Sequence, residues 1–128
     1  MTKKVNQLTL TPKVFDVSKK FGQLEEKDFF GKYSVLEQTE TGVVQLIQLE
    51  DRIPLHKHPI ENHFVYIYKG RVKGTIGDIS SEFGPGQLIS IPAGVPHQFQ
   101  RIGDAPVEVI AFSTPIAGKD DTVNLENK

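Results

Sequence analysis

Four histidines, His56, His58, His63 and His97, are the residues of this sequence whose type and spacing could do chemistry. Imidazole nitrogen is a good ligand for zinc, copper, iron and nickel, and several such donors converging on one point make a divalent-metal site. His56 and His58 stand two apart, so on a strand, where the side-chain period is two, both face the same way. His63 follows five residues after His58, which on one continuous strand would place it on the opposite face. The intervening Pro59-Ile60-Glu61-Asn62 breaks such a strand, because proline cannot donate to a ladder and asparagine favours turns. A turn there lets His63 open the next strand and face back toward His56 and His58. His97 arrives after Pro92-Ala93-Gly94-Val95-Pro96, a stiff turn, at the start of another strand. A single histidine among strands is more often a surface or hydrogen-bonded core residue, and a lone His-x-His pair says little. The common pattern of all four carries the metal reading. There is no cysteine, which removes thiolate ligands and disulfides, and no serine sits in a Gly-x-Ser-x-Gly elbow.

Short apolar runs separated by turn residues must position these histidines. Segments 33–37, 43–49, 63–68, 71–76, 79–83, 87–91, 97–102 and 107–113 are rich in β-branched and aromatic residues and bounded by Gly, Pro, Asp or Asn, as strands are. Gly77-Asp78 is a two-residue hairpin signal, and Gly84-Pro85-Gly86 and Gly103-Asp104-Ala105-Pro106 mark further turns. Many short strands at near-regular spacing predict an all-β sandwich or barrel. Helix is scarce; 24–30 predicts one short turn of it. Segments 7–11 and 14–17 read as edge strands that could pair with a second subunit. The polar residues 117–128 read as a frayed tail.

At 128 residues the chain is expected to form one domain with a single core. The divisions expected are an N-terminal arm over 1–32, a barrel over 33–114 and a C-terminal tail over 115–128. Lys plus Arg number 15 and Asp plus Glu 16, a net charge of −1 without any long like-charge block, which argues against nucleic acid as a partner. No run approaches the ~20 apolar residues of a membrane span. The basic first residues never reach an apolar stretch, so no secretory signal is expected and the chain reads as soluble and cytoplasmic.

Residues 55–70, LHKHPIENHFVYIYKG, resemble the first motif of the cupin family: His-x-His, three or four residues, an acidic ligand, six residues, then Gly. Here the positions are His56, His58, His63 in place of the usual Glu, and Gly70. Residues 86–97, GQLISIPAGVPH, resemble the second motif through Gly86, Pro92, Gly94 and His97. Flanking strands extend the resemblance over 33–114. Glu50 stands where the first motif often opens with Gly, and Arg101 where the second often closes with Asn. Glu61 leaves only two residues after His58, short of the family spacing, so it reads first as a nearby acid or base or a solvated loop carboxylate, and as a ligand only behind His63. Gly70, Gly86, Gly94, Pro92 and Pro96 read as turn residues without chemistry.

The resemblance implies a double-stranded β-helix, or jelly-roll, barrel. It implies one divalent ion (Fe, Mn, Ni, Cu or Zn) held by His56, His58, His63 and His97. It also implies a homodimer, as small cupins often are. Four neutral imidazoles would leave the full charge on the ion, which favours anionic ligands such as a carboxylate or enolate. Two enzymatic readings follow: dioxygenase-type chemistry, or isomerase-, cyclase- or lyase-type chemistry in which the ion polarises a carbonyl. Glu61 is the candidate proton carrier, ahead of Tyr66, Tyr68 and Gln98; alternation turns the two tyrosines away from the ion. Val65 and Ile67 share the parity of His63, and Phe99 that of His97, so these three would line an apolar pocket suited to a small organic acid or carbonyl compound. The alternative is a non-catalytic barrel that binds a small ligand around a structural metal.

Overall fold

A computed structural model describes residues 11–126. The apolar alternation seen in the sequence produces two antiparallel sheets facing each other. β1 (Glu26–Asp28), β2 (Gly31–Gln38), β3 (Val43–Leu49), β5 (Asn62–Lys69), β8 (Leu88–Ile91) and β10 (Val107–Thr114) make one, in the order β1-β2-β3-β10-β5-β8. β4 (Arg52–Lys57), β6 (Arg71–Ile76), β7 (Ile79–Phe83), β9 (His97–Ile102) and β11 (Val123–Asn124) make the other, in the order β11-β4-β9-β6-β7. Successive strands from β3 to β10 lie largely in alternate sheets, the winding of a double-stranded β-helix. The core between them gathers Leu49, Ile67, Val72, Ile76, Ile89, Ile91, Phe99, Val107 and Val109. Among the described residues no helix is long and apolar enough to cross a membrane.

Turns match the conformations their residues permit. Gly70, Gly86 and Gly94 have φ of 92°, 92° and 85°, the left-handed region that an L side chain resists. At Gly70 a Cβ would also meet Val107 Cα at 3.0 Å, so the turn between β5 and β6 needs glycine twice over.

Three local expectations are corrected, and one strand is added to the apolar runs. Segment 14–17 is not a strand: Asp16 caps a helix, α1 (Val17–Phe21), its side chain accepting from Lys19 N–H at 3.3 Å, with Lys19 and Lys20 favourably placed in the last turn. Its buried Phe21 stacks on Tyr68 with ring centroids 5.4 Å apart, which docks the arm on the six-stranded sheet. The helical turn expected over 24–30 is instead β1, pairing antiparallel with β2, because hairpin pairing outweighs the weak helical preference of three charged residues. β4 was hidden by Pro54, which lowers strand expectation although its missing N–H is tolerated beside a register shift between Ile53 and His56. Last, residues 117–126 do not fray. They form a short 3-10 turn (Lys119–Asp121) and then β11, which pairs with β4 through Val123↔Lys57 and Asn124↔His56. The expected edge strand over 7–11 falls almost wholly outside the described residues.

Candidate metal centre

β4 carries His56 at its end and His58 just past it, β9 opens with His97, and β5 carries His63 from the opposite sheet. Pairing of β4 with β9 sets His56 directly across from His97, so their rings lie 4.2 Å apart. His58 joins them, 4.8 Å from the His56 ring and 5.3 Å from that of His97. Nitrogen atoms of His56, His58 and His97 all fall within 4.8 Å of one another. The loop that follows His58 is tied to the turn preceding His97: Gly94 N–H donates to the His58 carbonyl at 2.7 Å, and Ala93 N–H donates to Asn62 Oδ1 at 2.9 Å.

Each of the three clustered rings directs Nδ1 at a backbone carbonyl. His56 reaches Pro54 O at 2.7 Å, His58 reaches Asp121 O at 3.1 Å, and His97 reaches Val95 O at 3.0 Å. A carbonyl only accepts, so each Nδ1 carries a hydrogen, and in the neutral ring Nε2 then keeps its lone pair. Second partners of this kind orient metal-ligating imidazoles and raise their basicity. Three imidazoles, each with Nδ1 bound to a backbone carbonyl, therefore fit a divalent ion of the borderline class through their Nε2 atoms.

Electrostatics favour the same state. Burial pushes His97, which is 3 % exposed, down to about 4; the Val95 hydrogen bond opposes this, and the other three histidines add to it. Burial also holds His56 below its ordinary value, against the Pro54 hydrogen bond and with help from His58. His63 is lowered chiefly by burial and by His58, with Glu61 opposing. Loss of hydration disfavours the imidazolium, so burial favours the neutral form of His56, His63 and His97.

His63 stands beside the cluster. Its ring stacks on His58, with centroids 4.0 Å apart and planes 2° from parallel, while its Nε2 donates to Glu61 Oε1 at 3.0 Å. Glu61 is itself anchored: its Oε2 accepts from Ala117 N–H at 2.6 Å and Gly118 N–H at 3.2 Å. Val65, Ile67 and Phe99 line a cavity of about 60 Å³ in the barrel, walled wholly by apolar side chains and by none of the histidines. Phe99, whose ring centroid lies 6.2 Å from that of His97, is where cavity and cluster meet. Tyr66 and Tyr68 are partly exposed on the other face of β5.

Sequence reasoning missed the contribution of 117–122. Asp121, 5 % exposed, binds the loop after His58 through its side chain and His58 itself through its carbonyl. No local signal could reveal it, since a polar run carries no period and the contacts span about sixty residues of sequence.

A barrel of two antiparallel sheets on which three histidines converge defines a class, and comparison names it. Residues 43–113 match the model of the cupin domain, and the chain belongs to the cupin family. It is 31% identical over 81 residues to an uncharacterized protein of Methanocaldococcus jannaschii, a match covering 63% of this chain and 65% of that relative. Among solved structures it is similar to BH2720 of Bacillus halodurans, with a TM-score of 0.72 and 20% identity over 92% of this chain and 91% of that one. It is also similar to an oxalate decarboxylase of Lactobacillus farciminis in complex with formate, with a TM-score of 0.63 and 20% identity over 82% of this chain and 34% of that one.

Proposed function

We propose that this protein is a metal-dependent enzyme in which His56, His58 and His97 hold one divalent ion, His63 is the fourth ligand, and a small organic acid or carbonyl compound is the substrate. The observation that carries the reading is the donor set: three buried or half-buried imidazoles, each with Nδ1 bound to a backbone carbonyl and Nε2 free. When bound, the ion supplies Lewis acidity toward a carboxylate or carbonyl oxygen. His63 would complete the donor set if it turned from Glu61, and Glu61 Oε1 would then be open to take or return a proton, with Oε2 fixed by Ala117 and Gly118. Val65, Ile67 and Phe99 line an apolar cavity that meets the histidines at Phe99, beside His97. A small acid is also the ligand seen in the similar oxalate decarboxylase, which was solved with formate.

A second copy of the chain is the partner we infer. Tyr66, Leu88 and Phe112 are exposed on the six-stranded sheet, and alternation sets them opposite the core-facing Ile67, Ile89 and Ala111. Light scattering reads this directly: a monomer at all concentrations sinks it.

Elemental analysis of untagged protein tests the site. About one equivalent of Fe, Mn, Ni, Cu or Zn is expected, lost in His56→Ala and His97→Ala and reduced in His63→Ala. Undiminished metal in those variants ends the proposal. Oxygen uptake with small carboxylic and carbonyl acids then separates dioxygenase-type from isomerase- or lyase-type chemistry. Metal without turnover of any such compound leaves the ligand-binding barrel.

A further inference from the structure

Residues 117–124 lie beyond the stretch that matches the family, yet they contact both the loop between the ligand strands and one of the ligands. Asp121 is the centre of these contacts. Its carboxylate accepts from Ile60 N–H at 2.9 and 3.2 Å, through its two oxygens, and from Glu61 N–H at 2.8 Å. Its own carbonyl receives His58 Nδ1 at 3.1 Å, and Thr122 Oγ1 lies 3.3 Å from the same nitrogen. The side chain therefore clamps the segment against the loop two residues after His58, and the main chain of the same residue meets the ring. His56 and His97 need no such clamp, because each binds the carbonyl two residues before it, Pro54 or Val95.

We propose that Asp121 is a positioning residue for the metal centre: its carboxylate grips the 59–61 loop and thereby holds its carbonyl on His58, fixing the tautomer that keeps Nε2 free to ligate. Unlike its two neighbours, His58 has no local acceptor for Nδ1–H and depends on a residue 63 positions away. With the clamp gone the carbonyl drifts, the hydrogen redistributes between the two ring nitrogens, and the Nε2–H form cannot bind an ion. The effect on metal affinity rests on the proposed metal reading; the effect on the tautomer does not.

The test compares full-length wild type, Asp121→Ala and Asp121→Asn, all untagged. Imidazole nitrogen shifts of the metal-free proteins, at mildly alkaline pH, report the tautomer of each ring. Wild type is expected to show Nδ1–H at His56, His58 and His97. Asp121→Ala is expected to mix tautomers at His58 alone, a selective change that general loosening of the fold would not give. Asn keeps one acceptor oxygen and is expected to fall between. Titration with cobalt(II), followed by its visible absorption, is expected to show affinity lower by about 10–100-fold in the alanine variant, the usual effect of losing an outer partner. A His58 that stays Nδ1–H in Asp121→Ala, with cobalt affinity within about twofold of wild type, overturns the inference. Failure of wild type to bind cobalt overturns the metal reading, and the His58 tautomer then decides the role of Asp121 on its own.

Discussion

Mild acid should weaken the metal-free protein through His97. That ring is 3 % exposed, and burial lowers it from 6.5 to about 4. Between these values the unfolded chain binds a proton that the folded chain refuses, so stability rises with pH across this window and is lost as pH falls through it. At about 1.36 kcal/mol for each tenfold difference in proton affinity, His97 alone accounts for about 3 kcal/mol once the pH is below 4. About 2 kcal/mol of that is already gone at pH 5. His56 and His63, also lowered, act with the same sign. For a domain of this size such a loss is a large fraction of total stability. Urea unfolding of chelator-treated protein between about pH 7.5 and about pH 5 measures the slope. His97→Gln, which cannot titrate, should lose the largest part of it. A flat profile in wild type, or an equal slope in the glutamine variant, would show that burial of His97 does not suppress its protonation.

Gly31→Ala should cost more than about 3 kcal/mol in urea unfolding, because φ of 144° resists a side chain and the new Cβ would collide with the Gln48 carbonyl. Ile67→Ala removes a fully buried side chain that already borders a cavity, and about 2–5 kcal/mol is expected from the same measurement, toward the upper end because the void enlarges. Glu61→Gln should leave metal content unchanged while lowering kcat by about 10²–10⁴-fold on whichever acid or carbonyl compound proves to be the substrate; unchanged turnover would remove Glu61 from proton transfer.

The strand frame was legible because it depends on local alternation. Val43–Leu49, Arg71–Ile76, Ile79–Phe83 and His97–Ile102 fall where the apolar runs begin and end. β4 was not, since Pro54 contradicts a strand locally and only pairing with β9 and β11 overrides it. Convergence of His56, His58 and His97 followed from their spacing together with the two turns. The hydrogen bond of His63 to Glu61 did not, because two residues so close in sequence can face each other or the cluster, and the anchoring of Glu61 by Ala117 and Gly118 decides between these. Asp121 was illegible for a different reason. Its value lies in satisfying two loop N–H groups far away in sequence, a contribution that leaves no periodicity.

The three Nδ1 contacts differ in how far apart their partners lie along the chain. Those of His56 and His97 close two-residue loops and form as soon as their own turns do. That of His58 must wait for a contact across 63 residues, a closure of much higher entropy cost and later order. A refolding chain can therefore settle the Pro54 and Val95 contacts before the Asp121 contact closes. On the proposed metal reading, a chain clipped ahead of residue 121 would keep the local partners of His56 and His97, lose that of His58, and compete poorly for an ion.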